Sequence, residues 1–222
     1  MDWVALSLSI KLGLVTVALL LPVGLVAGRW LAYTAFAGKG WVEAALALPL
    51  VLPPTVVGYY LLVGVGGATP IGQFWKAAFG HNLVFSFEGL VVASVIVNLP
   101  FAIQPMQRAF EAIAPEIREA AAVSGLSPLQ VLLRIDIPLA WQGILMGLVL
   151  TFAHTLGEFG VVLMVGGSIS GETKTISIAI YDRVQAFDTQ SAGIMAAALL
   201  AMSLVTLGLI YRLSSHVGRR HG

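Results

Sequence analysis

Four polar side chains interrupt an otherwise apolar stretch at a helical spacing. Thr151, His154, Thr155 and Glu158 stand at i, i+3, i+4 and i+7, which gathers them on one face of an α-helix. In an apolar span such groups face the bundle interior or water. Three chemistries compete for them: a hydrophilic lining or gate on a solute path, a proton relay through His154 and Glu158, or hydrogen bonding between helices. A relay needs further titratable partners across the span. Asn98, Pro100, Gln104 and Pro105 make a second polar, irregular stretch, open to the same choice between interhelical glue and a permeation path. Nothing points to chemistry on a bound substrate. The chain has no Gly-x4-Gly-Lys-Ser/Thr, no His-Glu-x-x-His and no Gly-x-Ser-x-Gly, and its carboxylates do not cluster. With no cysteine, thiolate catalysis, disulfides and Cys-ligated zinc are excluded. The expectation is therefore no ATP hydrolysis by this chain and no cofactor or metal in it.

The elements that carry these residues follow from composition. At 222 residues, 58% hydrophobic and 10% charged, with mean hydropathy +0.92, the chain has too few charges to build a water-facing surface. That predicts an all-α integral membrane protein forming one domain over 1–222. Five apolar segments, near 4–27, 44–65, 89–106, 139–156 and 192–213, are long enough at about twenty residues to cross a hydrocarbon core of about 30 Å. None alternates with period 2, which argues against a transmembrane barrel. A signal peptide is a poor reading of the first, because it starts with Asp2 rather than a basic cluster and its apolar run is too long. A net charge of +1 suggests membrane lipid and no nucleic acid as the surroundings.

Basic residues orient the chain. With the amino terminus outside and the carboxyl terminus cytoplasmic, Arg29, Lys39, Arg108, Arg118, Arg134, Arg212, Arg219 and Arg220 are cytoplasmic, and only Lys76, Lys174 and Arg183 lie clearly outside. Among the membrane residues no buried Lys or Arg cluster is expected, apart from Lys11 near the outer end of the first span. In the second segment Pro49, Pro53 and Pro54 remove backbone donors where no water replaces them, so that helix must be kinked or broken inside protein. The break is either a packing kink or a gate. The stretch 66–87 reads as an external loop with a short surface helix, and 160–167 is apolar but too short to cross, so it is re-entrant or buried at the outer face.

Between the third and fourth segments, 108–138 forms a cytoplasmic insert of two short helices. Pro115 suits a first helical position, Glu116 and Glu119 favour the positive end of a helix dipole, and Gly125 supplies a left-handed stop. Ser127, Pro128 and Gln130 then open a second helix with a capping box, Leu126, Leu129, Leu132 and Leu133 give it one apolar edge, and Pro138 is expected to end it at the membrane. Small Ala120, Ala121 and Ala122 allow close approach of another protein.

The run Glu119-Ala-Ala-Ala-Val-Ser-Gly125, followed nine residues later by Ile135-Asp-Ile-Pro138, resembles the EAA loop of ABC importer permeases, with Ile137 in place of the usual Leu. Nearly the whole chain is similar to the molybdate type of these permeases. That resemblance rests on Leu48-Pro-Leu-Val-Leu-Pro-Pro-Thr-Val-Val-Gly-Tyr60, Thr69-Pro-Ile-Gly72, Leu156-Gly-Glu-Phe-Gly160 and Gly171-Glu-Thr-Lys-Thr-Ile-Ser-Ile-Ala-Ile-Tyr181. It implies a type I importer permease fold that works as a homodimer in the bacterial cytoplasmic membrane. Two cytoplasmic ATPase subunits would hold ATP and Mg, and a periplasmic or lipid-anchored protein would deliver the oxyanion, molybdate or tungstate. By the same resemblance Glu119, Ala120, Ala121, Gly125, Leu129, Ile135 and Pro138 couple the chain to the ATPase. Pro53, Pro54, Thr55, Asn98, Thr151, His154, Thr155 and Glu158 become candidates for the path or gate. The rivals are a sulfate or thiosulfate permease, and an ATPase-independent secondary transporter, which would leave the insert unexplained.

Overall fold

The computed structural model describes residues 1–218 of the chain. Arg219 and Arg220, and the side chain of Arg212, which enter the charge count above, lie outside the described residues. Among the described residues every regular element is a helix. Four helical stretches are long and apolar enough to cross a membrane, and a bent pair makes a fifth if it is one span.

Three of these stretches form the centre. Helix α1 (Trp3–Tyr33) starts where the Asp2 carboxylate accepts the Ala5 N–H at 3.0 Å, and α5 (Phe87–Glu111) starts where Ser86 accepts the Gly89 N–H at 3.2 Å. Both caps satisfy amides that the first turn leaves open. The third is α8 (Ile137–Gly157). The face of α1 turned inward carries small residues, Ser9, Gly13, Thr16, Gly24 and Gly28, the means by which helices in lipid bring their backbones close enough for dispersion to hold them. At Gly28 an added Cβ would lie 3.1 Å from the Gln107 backbone nitrogen. At Gly143 it would strike the Ala109 Cβ and stand 2.8 Å from the Pro105 carbonyl. One cluster of Met106, Phe110, Ile113, Ala140 and Ile144 fills the seam, with Leu21, Leu25 and Tyr33 against it.

The second apolar segment divides as its prolines require. Helix α2 (Lys39–Val51) and α3 (Pro54–Gly64) meet at 109°, with Leu52 and Pro53 extended between them. Beyond the break, α3 packs on α9 (Gly160–Gly166) through Val57, Val161 and Val165, joined by Ala93 and Val97 of α5, while Pro53 and Pro54 at the break itself are exposed. Within 160–167, Val161, Val162 and Val165 are almost wholly enclosed by protein. Helix α4 (Pro70–Phe79), capped by Thr69 and stopped by Gly80 at φ +80°, carries exposed Ile71, Phe74 and Phe79. It is the surface helix expected in 66–87.

The insert holds α6 (Pro115–Val123) and α7 (Pro128–Val131). Gly125 has φ +72°, and Ser127 and Gln130 form the reciprocal capping box, with bonds of 3.3 and 2.8 Å. Two boundaries differ from expectation. Helix α5 runs on to Glu111, so 108–111 belong to it and not to the insert. Pro138 does not end the second insert helix: α7 continues through one π turn, Leu132–Asp136, into α8, giving an unbroken stretch Pro128–Gly157. Pro138 follows directly on that π turn, where the Ile137 amide reaches back five residues to Leu132, and the wider turn makes room for a ring that would strike the i−4 carbonyl of a regular α-helix. Helix α10 (Ile176–Gln185) and α11 (Thr189–Gly218) complete the chain, and α10 packs its Ile176 and Ala179 on Ala5 and Met195.

Gly143→Val should lower the stability of the detergent-solubilised protein by about 1–3 kcal/mol through overpacking. Gly193→Ala, on α11 with nothing within 4 Å of the added carbon, should leave the melting temperature unchanged or slightly raised.

Candidate functional site

Two polar constellations lie at opposite ends of the three-helix centre. The first is the set read from spacing alone. Asn98, on α5, donates its amide hydrogens to the Ser94 carbonyl at 2.8 Å and to Thr155 Oγ1 at 3.1 Å. Thr155 Oγ1 in turn donates to the Thr151 carbonyl at 2.8 Å. With both Nδ2 hydrogens committed, Asn98 Oδ1 faces His154 Nδ1 at 3.1 Å, and an amide oxygen can only accept, so Nδ1 carries the proton. The ring stacks on Phe101 with centroids 4.2 Å apart. His154 Nε2 lies 3.6 Å from Glu158 Oε2, while Glu158 Oε1 accepts the Val161 N–H at 2.9 Å.

These contacts join α5 to α8 and then α8 to α9. Asn98, Thr151 and Thr155 are enclosed between helices, as interhelical bonding requires, and His154 alone keeps about a third of its side chain exposed, at 32%. Thr151 Oγ1 and Ser94 Oγ have no hydrogen-bond partner among the described residues. Pro53, Pro54 and Thr55 are exposed at the α2–α3 break, and Pro54 lies against Gly160, two residues beyond Glu158. The break and the polar chain thus meet where α8 turns into α9. Ser177 donates to the Glu158 carbonyl at 2.7 Å, and Ser9 accepts the Ile176 N–H at 2.8 Å, which ties α10 to the same end. Lys11 is exposed there, 4.1 Å over the Phe87 ring.

The second constellation is one that spacing does not reveal. Asp136, the last residue of the π turn, is completely buried. Its Oδ2 accepts from Arg29 Nε at 2.7 Å, and its Oδ1 stands 3.7 Å from Arg118 Nε. Arg118 lies 3.4 Å over the ring of Tyr33, whose hydroxyl donates to the Phe110 carbonyl at 2.9 Å. The two arginines, 26% and 31% exposed, flank this one buried carboxylate. The ends of α1 and α5, helix α6 and the start of α8 therefore converge on one buried charge. Beside it Gln107 donates to Glu43 and Glu111 at 2.7 and 2.9 Å, fastening α2 to α5.

The coupling candidates surround this junction. Glu119, Ala120, Gly125 and Pro138 are exposed, Ile135 is half-buried and Ala121 is buried. Val123 is 90% exposed and Leu129 63%, and Ile117 and Leu133 are exposed as well, an apolar surface on the most polar part of the chain. No group of His, Cys, Asp or Glu able to hold a metal occurs among the described residues.

A family model described as "Binding-protein-dependent transport system inner membrane component" matches residues 21–220. The chain is 44% identical to the "Molybdenum transport system permease protein ModB" of Azotobacter vinelandii, over 95% of this chain and 93% of that one. It is 33% identical to the "Sulfate transport system permease protein CysW" of a Synechocystis strain, over 96% of this chain and 77% of that one. Among solved structures, a bacterial alginate ABC transporter in complex with an alginate pentasaccharide-bound periplasmic protein superposes with TM-score 0.76 at 16% identity, covering 96% of this chain and 78% of that one.

In a double-mutant cycle, Asn98→Ala and Thr155→Val should show a coupling of about 0.6 kcal/mol and no more than about 1.7 kcal/mol, the average and the maximum for hydrogen bonds between helices in a membrane. Unfolding of the four variants in detergent measures it.

Proposed function

This chain belongs to the family of binding-protein-dependent transport system inner membrane components, and we propose that the solute it passes is molybdate. The fold is that of a type I ABC importer permease, the chain is a multi-pass membrane protein, and it serves as a permease subunit. The observation that carries the substrate reading is 44% identity, over nearly the full length of both chains, to a molybdenum transport permease. Identity to a sulfate permease is lower, at 33%.

In this reading two copies of the chain enclose the path, and the insert faces the cytoplasm. Two ATPase subunits, which hold ATP and Mg, seat against the exposed Ile117, Val123, Leu129 and Leu133. The groups of Glu119 to Pro138 transmit their closure, and a binding protein on the outer side delivers the oxyanion. Two features support the loop's part. Gly125 at φ +72° sets the angle between α6 and α7 with a backbone geometry that a β-branched residue resists. The junction at Asp136 connects the loop to α1, α5 and α8. The path itself needs no fixed cation, because tight binding of a dianion would slow its release. In this reading His154, a third exposed, and the exposed break at Pro53, Pro54 and Thr55 meet the solute, while Asn98, Thr151 and Thr155 hold the wall behind them.

Deleting the chain should abolish high-affinity uptake of labelled molybdate in cells grown in low-sulfate medium. In cells that keep it, tungstate should compete and sulfate should not. Competition by sulfate at equal concentration would move the substrate to the sulfate class. Gly125→Val should leave insertion intact and uncouple hydrolysis from uptake; a variant that keeps both coupled would remove the loop from the mechanism.

A further inference from the structure

We infer that Asp136 is a positioning residue that keeps Arg29 throughout the transport cycle and exchanges Arg118, so that movement of α6 is passed to α1 and α8. The inference rests on the reading of the insert as the ATPase-coupling element.

The two arginines are held unequally. Arg29 Nε makes a short charge-assisted bond of 2.7 Å to Oδ2. Arg118 Nε is 3.7 Å from Oδ1, beyond hydrogen-bond reach, and both Oδ1 and Arg118 Nε are buried without a hydrogen-bond partner among the described residues. An approach of under about 1 Å would turn that gap into a bond. A shift of α6 of that size would separate an arrangement with Arg118 bonded to Asp136 from the one seen here, with it apart. In the second, Arg118 still has a seat, because its guanidinium rests on the Tyr33 face at 3.4 Å. A cation over a ring keeps its attraction while it shifts, since no single donor has to stay aligned.

The backbone provides for the same movement. Asp136 closes the five-residue π turn Leu132–Asp136, an insertion of one extra residue in an otherwise α-helical stretch that tends to mark functional positions. Arg29 cannot share the exchange. Without it a fully buried carboxylate would lose its one bonded cation, which is far costlier than loss of a contact at the rim. The fixed partner thus lies on a central span and the exchangeable one on the insert, the asymmetry a transmitting joint needs.

The test uses the whole complex, with its ATPase and binding protein, in proteoliposomes supplied with molybdate. The readout is molybdate taken up per ATP hydrolysed. In Arg118→Gln the ATPase should still co-purify while this ratio falls by about tenfold, the scale of one lost charge-assisted bond. Arg118→Lys, which restores the cation, should recover part of it. An unchanged ratio in Arg118→Gln would overturn the inference. So would a fall in co-purification and melting temperature that accounts for all lost uptake, which would make Arg118 a structural residue only. If the unaltered complex shows no stimulation of hydrolysis by the loaded binding protein, the coupling reading itself fails, and this inference with it.

Discussion

A carboxylate with no exposure must keep a cation beside it or become neutral. Asp136 is such a carboxylate, and the organisation of one end of the molecule follows from it. Arg29 has to stand at the end of α1, within 2.7 Å. Arg118 has to lie on the inner side of α6, which in turn requires Tyr33 beneath it and the Phe110 carbonyl to hold the Tyr33 hydroxyl. Helices that would otherwise be joined to the insert only by chain connections are thereby joined through side chains. The polar insert between α5 and α8 becomes part of the membrane bundle.

The opposite end is built on a chain of hydrogen bonds that ends at a second buried carboxylate, Glu158. Asn98, Thr155, His154 and Glu158 run from α5 through α8 to α9, and Ser9 and Ser177 extend the fastening to α10. Bonds of this kind are individually modest in a bilayer. One end thus turns on a buried carboxylate between two arginines, the other on a chain of single hydrogen bonds that ends at Glu158.

Much of this was legible in the residues, and the exceptions share a cause. Gly125, the Ser127–Gln130 box and the α2–α3 break were readable because a left-handed turn, a cap and a missing amide are local requirements. The helical face of Thr151, His154, Thr155 and Glu158 was readable from period alone. Its partner Asn98 lies 57 positions from Thr155, and periodicity carries no information about pairing at that distance, so lining and interhelical bonding stayed open together. Asp136 was invisible for a different reason. A charged residue in a polar insert reads as solvated, and only the π turn, which has no residue signature of its own, rotates it inward. The same turn explains the misplaced helix end at Pro138, because its wider backbone lets the helix run on through a proline.

The most direct test of the account is the coupling free energy between Arg29 and Asp136, from the unfolding of the protein with Arg29→Met, Asp136→Leu, both and neither. A buried pair predicts that each single change is strongly destabilising, by about 3–5 kcal/mol, and that the double change recovers most of that loss. Losses that simply add in the double variant would mean that the two side chains do not share one buried charge site, and the insert would lose its connection to the central spans.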